Sequence, residues 1–134
     1  MDSKFFIILF GTWFLFMVLA IINAAIRNNT FKPIFGNLLA HQISTLIFIV
    51  IILVVTYLVL RFSSIELTNN QALLMGILWF IFTILFEFLA GHFVFGNSWD
   101  KLFADYNILQ GRIWSLVLIT LLVSPYVSNK LLLI

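Results

Sequence analysis

Cysteine is absent from this 134-residue chain, and charged residues are scarce. Without cysteine the chain has no disulfide, no thiol nucleophile and no cysteine-ligated zinc or iron–sulfur centre. Only 9% of its residues are charged and 63% are hydrophobic, whereas soluble domains average about 25% charged and about 45–50% apolar residues. The few basic residues form no patch that would indicate nucleic-acid binding. The composition therefore predicts a single integral membrane domain whose main partner is the lipid bilayer.

Four apolar stretches approach the roughly 20 residues that a helix needs to cross a bilayer. They cover about 5–26, 43–60, 72–94 and 113–127. We predict an all-α, four-helix transmembrane bundle with both termini on one side and two structured loops, with short interfacial helices, on the other. The first stretch is interpreted as a retained anchor, because it is too long for a signal-peptide core. Pro125 predicts a kink or an end in the last span.

The two sides of the predicted bundle differ in chemistry. The terminal side carries the connectors, among them residues 128–130, which are expected to be solvated. The loop side carries segments 28–42 and 95–112, which hold most of the polar residues. In the second of these, Trp99 and Tyr106 are two helical turns apart, which predicts a short helix in the membrane interface capped by Asn97 or Ser98.

A short motif occurs in both loops: Phe35-Gly36-Asn37 and Phe95-Gly96-Asn97. Each copy joins an odd-numbered span to an even-numbered one. One interpretation is a pair of parallel helical hairpins related by an axis along the membrane normal. The other is coincidence in a chain rich in Phe, Leu and Asn.

Glu87 lies inside the third apolar stretch, where an ionised side chain is costly and indicates a functional site. We predict that it pairs with Arg112 first and Arg27 second, because a guanidinium group binds a carboxylate with two hydrogen bonds. Helical spacing also predicts two inward-facing stripes of small and polar residues. One holds Ala20, Asn23, Ala24 and Arg27, and the other holds Gly76, Thr83, Glu87, Ala90 and Gly91.

These patterns favour a protein that binds or passes a small polar or ionic ligand, or a proton. They favour a protein that is not an enzyme. The predicted ligand-binding residues are Glu87, Arg112, Arg27, Asn23, His41, Gln42, Asp105 and Tyr106. A full path through the membrane would need a homodimer or a larger homo-oligomer. No catalytic residue, metal ligand or cofactor is assigned in this interpretation.

Two alternatives stay open. His41 and His92 would hold haem b or a divalent metal in a redox or enzyme subunit, or each would be a structural histidine bonded to a loop carbonyl. Alternatively, a buried Glu–Arg pair would only fix helix packing in a structural or accessory membrane subunit.

Three segments together resemble a family of small four-span bacterial inner-membrane proteins of unassigned function. They are A-H-Q-I-S-T-L, F-E-F-L-A-G-H and A-D-Y-N-I-L-Q-G-R-I-W, and the resemblance covers residues 23–114. It implies a bacterial inner membrane but no activity, cofactor or binding residue.

The distribution of Lys and Arg slightly favours cytoplasmic termini.

Overall fold

The computed structural model describes residues 3–94, 96–104 and 114–133, and this part of the chain is all-α. Within these ranges, four stretches are long and apolar enough to cross a membrane: Ser3–Phe35, Asn37–Phe62, Asn69–Phe93 and Ser115–Leu132. The chain is therefore an integral membrane protein with four helical spans, as predicted. Its α-helices in chain order are α1 Ser3–Ile26, α2 Lys32–Phe35, α3 Asn37–Phe62, α4 Asn69–Phe93, α5 Trp99–Ala104 and α6 Trp114–Leu132.

The first predicted loop is helical almost throughout. A π-helical turn, Arg27–Phe31, joins α1 to α2, and α3 begins directly after Gly36. Proline has no N–H and clashes with the carbonyl four residues before it. We attribute the wider π-helical turn to Pro33, which follows it in the first turn of α2. Gly36 then breaks the helix with a φ of 86°, a conformation that glycine adopts without strain.

Pro125 does not end the last span, so that part of the prediction is wrong. It is buried inside α6, which continues to Leu132. Proline is tolerated in membrane helices because neighbouring groups can satisfy the freed backbone carbonyl. The extended helix also buries Ser128 and Asn129, which the sequence had predicted to be solvated. The Asn129 side-chain amide donates to the carbonyl oxygen of Leu67 at 3.0 Å and so fastens α6 to the connector before α4.

Local side chains define where two helices begin. Thr68 caps α4 through a capping box: its hydroxyl oxygen accepts from the Gln71 N–H at 3.1 Å, and the Gln71 side chain accepts from the Thr68 N–H at 3.0 Å. At α5 the Ser98 hydroxyl oxygen accepts from the Lys101 N–H at 3.2 Å, which confirms the predicted cap.

The helices form a ring in the order α1, α3, α6, α4. Helix α6 packs between α3 and α4, and α1 contacts α3 and α4 from the opposite side. The hairpins α1–α3 and α4–α6 therefore lie side by side. A two-fold axis along the membrane normal would place α1 diagonally across from α4, so this predicted relation is wrong. The two copies of the motif still share one backbone feature, since Gly36 and Gly96 both have positive φ, 86° and 72°.

Helix α6 is close to its neighbours, whereas α1 is held by aromatic side chains. A β-carbon added at Gly76 of α4 would overlap the carbonyl oxygen of Leu122 in α6, so the two backbones touch at this point. In contrast, the Trp79 indole of α4 reaches α1, where its N–H donates to the Leu9 carbonyl oxygen at 2.9 Å. The Phe16 ring of α1 meets the Trp79 ring edge-on at 5.1 Å.

We predict that both ends of the chain lie on the same side of the membrane. Because the chain has no cysteine, Ser3→Cys and Leu132→Cys each introduce a single labelling site. A membrane-impermeant maleimide added to intact cells or sealed vesicles should label both variants or neither. Labelling of one variant alone would contradict the four-span topology.

Candidate functional site

Glu87 occupies the inward-facing stripe of α4. Thr83, four residues before it, is 2% exposed, and Gly91, four residues after it, is also buried. Residues four apart lie above one another on one helix face, so the Glu87 side chain starts from the same face as both. Glu87 itself is half-buried. The sequence prediction that this stripe faces the bundle interior is confirmed for Gly76, Thr83 and Gly91, which are buried, whereas Ala90 is half-buried.

Two indole hydrogen bonds fix the depth of Glu87. The Trp79 N–H donates to the Leu9 carbonyl, and the Trp13 N–H donates to the Thr83 hydroxyl at 3.1 Å, so each bond joins residues 70 apart. Helices α1 and α4 are therefore parallel, and Glu87 lies at the level of Met17. At about 1.5 Å per residue, Asn23 is about 9 Å and Arg27 about 15 Å nearer the loop side.

Asn23 belongs to a polar contact between α1 and α3. Its side-chain amide donates to the Ser44 carbonyl oxygen at 3.0 Å. One turn away, the His41 carbonyl oxygen accepts from the hydroxyls of Ser44 and Thr45 at 3.2 and 2.7 Å. The His41 side chain is 6% exposed, although the residue lies near the loop-side end of its helix.

The remaining predicted residues of α1 and α3 flank this contact. Arg27 and Gln42 are half-buried, and Ala20 and Ala24 continue the predicted stripe on α1 as half-buried residues. Arg27, His41, Gln42 and Glu87 each make at least one further interaction. The structure therefore gathers Asn23, Arg27, His41 and Gln42 at the loop-side end of α1 and α3, with Glu87 deeper on α4.

Helix α6 approaches the level of Glu87 at its first residue. Gly76 lies opposite Leu122, and Leu67 binds Asn129, so α4 and α6 run antiparallel. This register places Ile84, eight residues after Gly76, level with the backbone of Trp114, eight residues before Leu122. Glu87 is one helical turn beyond Ile84. Arg112, Asp105 and Tyr106 lie outside the described residues, so their predicted places in the site stay predictions.

His92 fits the structural interpretation of the histidines. Its Nδ1 is 2.8 Å from the Asn97 carbonyl oxygen, an arrangement in which Nδ1–H donates. Its ring is stacked on Trp99, with 3.9 Å between centroids and 13° between planes. The Asn97 N–H in turn donates to the Gly91 carbonyl oxygen at 2.9 Å. These contacts fasten the start of α5 against the end of α4.

A metal site or a haem site has less structural support than the polar site around Glu87. Within the described ranges, no three His, Asp or Glu side chains are grouped as metal ligands. The hydrogen bond from Nδ1 would leave Nε2 of His92 to bind the iron of haem b, and His41 would supply the other imidazole. An absorption spectrum of the purified protein tests this alternative.

Comparison with known proteins adds no relative. No family model, curated protein or solved structure matches the chain. The function is therefore inferred from the residues and their geometry.

The sequence patterns had not identified the two indole contacts between α1 and α4. Each tryptophan carries one N–H, and a donor inside the membrane has to find an acceptor on its own or a neighbouring helix. Trp13 and Trp79 were therefore available as signals, but sequence alone could not name Thr83 and Leu9 as the acceptors. Asn129 is a similar case, since an amide near the end of an apolar helix can bind a neighbouring carbonyl.

Proposed function

We propose that this membrane protein binds or passes a small cation or a proton, or another small polar ligand, at a one-sided site around Glu87. The supporting observation is the position of Glu87 between two buried residues on the inward face of α4. No other acidic residue occurs in the four candidate spans. A carboxylate in this setting can bind a cation or exchange a proton, whereas a lipid-facing carboxylate would be costly.

The residues at the loop-side end of α1 and α3 support a route to that carboxylate. Asn23, His41 and Gln42 offer polar groups about 9 Å or more nearer the loop side than Glu87, at 1.5 Å per residue. A ligand entering from this side would meet them before it reached the carboxylate. A four-helix chain has little room for a continuous path, so the proposal includes a homodimer in a bacterial inner membrane with cytoplasmic termini.

Glu87→Gln should abolish transport or binding while the melting temperature in detergent falls little. Glutamine keeps the shape and hydrogen-bonding capacity of the side chain, but it carries no charge and takes up no proton at physiological pH. The measurement is growth complementation of a strain lacking the protein, read beside thermal unfolding and beside proton flux in proteoliposomes loaded with a pH-sensitive dye.

The matched control is Glu66→Gln, because Glu66 is exposed in the connector between α3 and α4. This variant removes the same charge from outside the site and should behave like the wild type. Full complementation and flux by Glu87→Gln would overturn the proposal and leave the structural interpretation of the carboxylate.

A further inference from the structure

Thr83 uses its hydroxyl group differently from three other buried threonines. Thr45, Thr56 and Thr120 each donate to the carbonyl oxygen four residues before them at 2.7 Å. Such a bond commits the hydroxyl proton to the threonine's own helix. Thr83 is only 2% exposed, but its oxygen accepts from the Trp13 N–H of another helix at 3.1 Å. Within the described ranges this is the one hydrogen bond of the Thr83 side chain, so its proton is left to donate in another direction.

The Trp13 indole fixes which part of the Thr83 hydroxyl is still available. An indole nitrogen donates and cannot accept, so Thr83 has to be the acceptor in this contact. A hydroxyl group has one donor and two acceptor positions, and Thr83 therefore keeps its proton and one lone pair. A buried donor that finds no acceptor destabilises a fold. The surroundings of Thr83 therefore have to supply an acceptor.

Glu87 is the acceptor that lies one helical turn further along the same inward face of α4. Side chains of an α-helix lean toward its N-terminus, so the Glu87 side chain extends back over the turn that holds Thr83. Glu87 makes at least one further interaction. A carboxylate has two oxygens with about four acceptor positions, so it can accept from Thr83 and still pair with an arginine.

We propose that Thr83 is a positioning residue for Glu87: its hydroxyl, held by the Trp13 indole, donates to one carboxylate oxygen and leaves the other oxygen to the ligand. Both bonds point toward Glu87, and each donor polarises the next. Because the indole has no acceptor position, this chain gives a proton no route from Glu87 toward the terminal side. The effect of Thr83 on a ligand rests on the proposed function, whereas the hydrogen bond itself does not.

Infrared difference spectroscopy tests the hydrogen bond directly. The spectrum of the full-length protein in lipid vesicles, minus that of Glu87→Gln, isolates the bands of the Glu87 carboxyl group. A hydrogen bond accepted by an oxygen weakens the bond of that oxygen to carbon, so Thr83→Val should shift these bands. Thr83→Ser keeps the hydroxyl and should leave the bands close to their wild-type positions.

Proton flux in proteoliposomes tests the effect on the site. Thr83→Val should lower the flux about ten-fold, the lower end of what a hydrogen bond to a charged group contributes. Thr83→Ser should restore most of the flux. This order separates hydrogen bonding from packing, because valine keeps the shape of threonine without the hydroxyl, whereas serine keeps the hydroxyl without the methyl group.

Thr56→Val is the matched control. It makes the same change at a buried threonine of α3 whose hydroxyl donates within its own helix, so the Glu87 bands and the flux should stay unchanged. Trp13→Phe supplies a second route to the same result. Without the indole N–H, the Thr83 hydroxyl is free to turn to a carbonyl of its own helix, and the Glu87 bands should shift. This variant keeps the test decisive even where Thr83→Val fails to fold.

Unchanged Glu87 bands in folded Thr83→Val would overturn the inference, whatever Glu87→Gln does to growth. A lower flux in Thr83→Ser than in Thr83→Val would also overturn it, since packing would then explain the role of Thr83. Full activity of Glu87→Gln, together with shifted bands in Thr83→Val, would overturn the proposed function and support the hydrogen bond. The two failures are therefore distinguishable.

Discussion

Replacement of Gly76 by alanine is expected to destabilise the protein strongly. The new β-carbon would overlap the backbone carbonyl oxygen of Leu122 and lie 2.8 Å from its carbonyl carbon. Backbone atoms cannot rotate away as a side chain can, so α4 and α6 must separate. Overpacking costs about 1–3 kcal/mol and more where the backbone has to shift. We expect the upper end of that range or beyond, measured as a lower melting temperature in detergent.

Gly11→Ala is the matched control for this prediction. Gly11 also lies within a transmembrane helix, but no atom outside its local helix backbone is within 4 Å of an added β-carbon. Alanine favours helix over glycine by about 1 kcal/mol, so this variant should be neutral or slightly more stable. Equal melting temperatures for the two variants would contradict the close contact between α4 and α6. Gly76→Leu should prevent folding altogether.

Arg112→Ala should destabilise the protein by about 3–5 kcal/mol, the usual cost of leaving one member of a buried ion pair alone. Arg112 lies outside the described residues, and its sequence position is two residues before Trp114, where α6 begins. The antiparallel register places that helix start one turn from the level of Glu87. Arg27, about 15 Å nearer the loop side at 1.5 Å per residue, is the less favourable partner.

The pairing is tested by comparing single and double variants in detergent unfolding. Glu87→Gln should be tolerated better than Arg112→Ala, because it leaves no buried anion and the glutamine oxygen can still accept from the guanidinium group. Glu87→Gln combined with Arg112→Met should recover much of the lost stability, since neutral, well-packed groups often replace a buried pair. Unchanged folding of Arg112→Ala would disprove the pair. Full growth complementation by the double variant would assign the pair to packing alone.

The sequence was sufficient to predict the spans because membrane helices have to be long and apolar. It was less informative where the ends of helices depend on neighbours. Pro125 continues a helix because its surroundings tolerate the missing N–H, and Asn129 is buried because Leu67 offers an acceptor. Neither circumstance is visible in a local pattern. The side-by-side order of the hairpins was also beyond the sequence, because the same short motif fits several arrangements.

The candidate site, like the fold, could be predicted from the sequence only in part. Helical spacing correctly placed Glu87 on the inward face with Thr83 and Gly91. It did not give relative depth, which depends on how one helix is shifted against another. The indole bonds of Trp13 and Trp79 supply that shift and place Glu87 below Asn23 and Arg27.

The attachment of α1 through aromatic side chains also bears on how the protein is made. Helix α1 leaves the ribosome first, yet its hydrogen-bonding partners belong to later segments: Ser44 in α3 for Asn23, and Thr83 in α4 for Trp13. During synthesis α1 therefore enters the bilayer before any of these partners is present, which its long apolar sequence permits. It docks when α4 has been inserted and Trp79 can reach the Leu9 carbonyl. The attachment of α1 to α4 therefore forms only after a third span has entered the membrane.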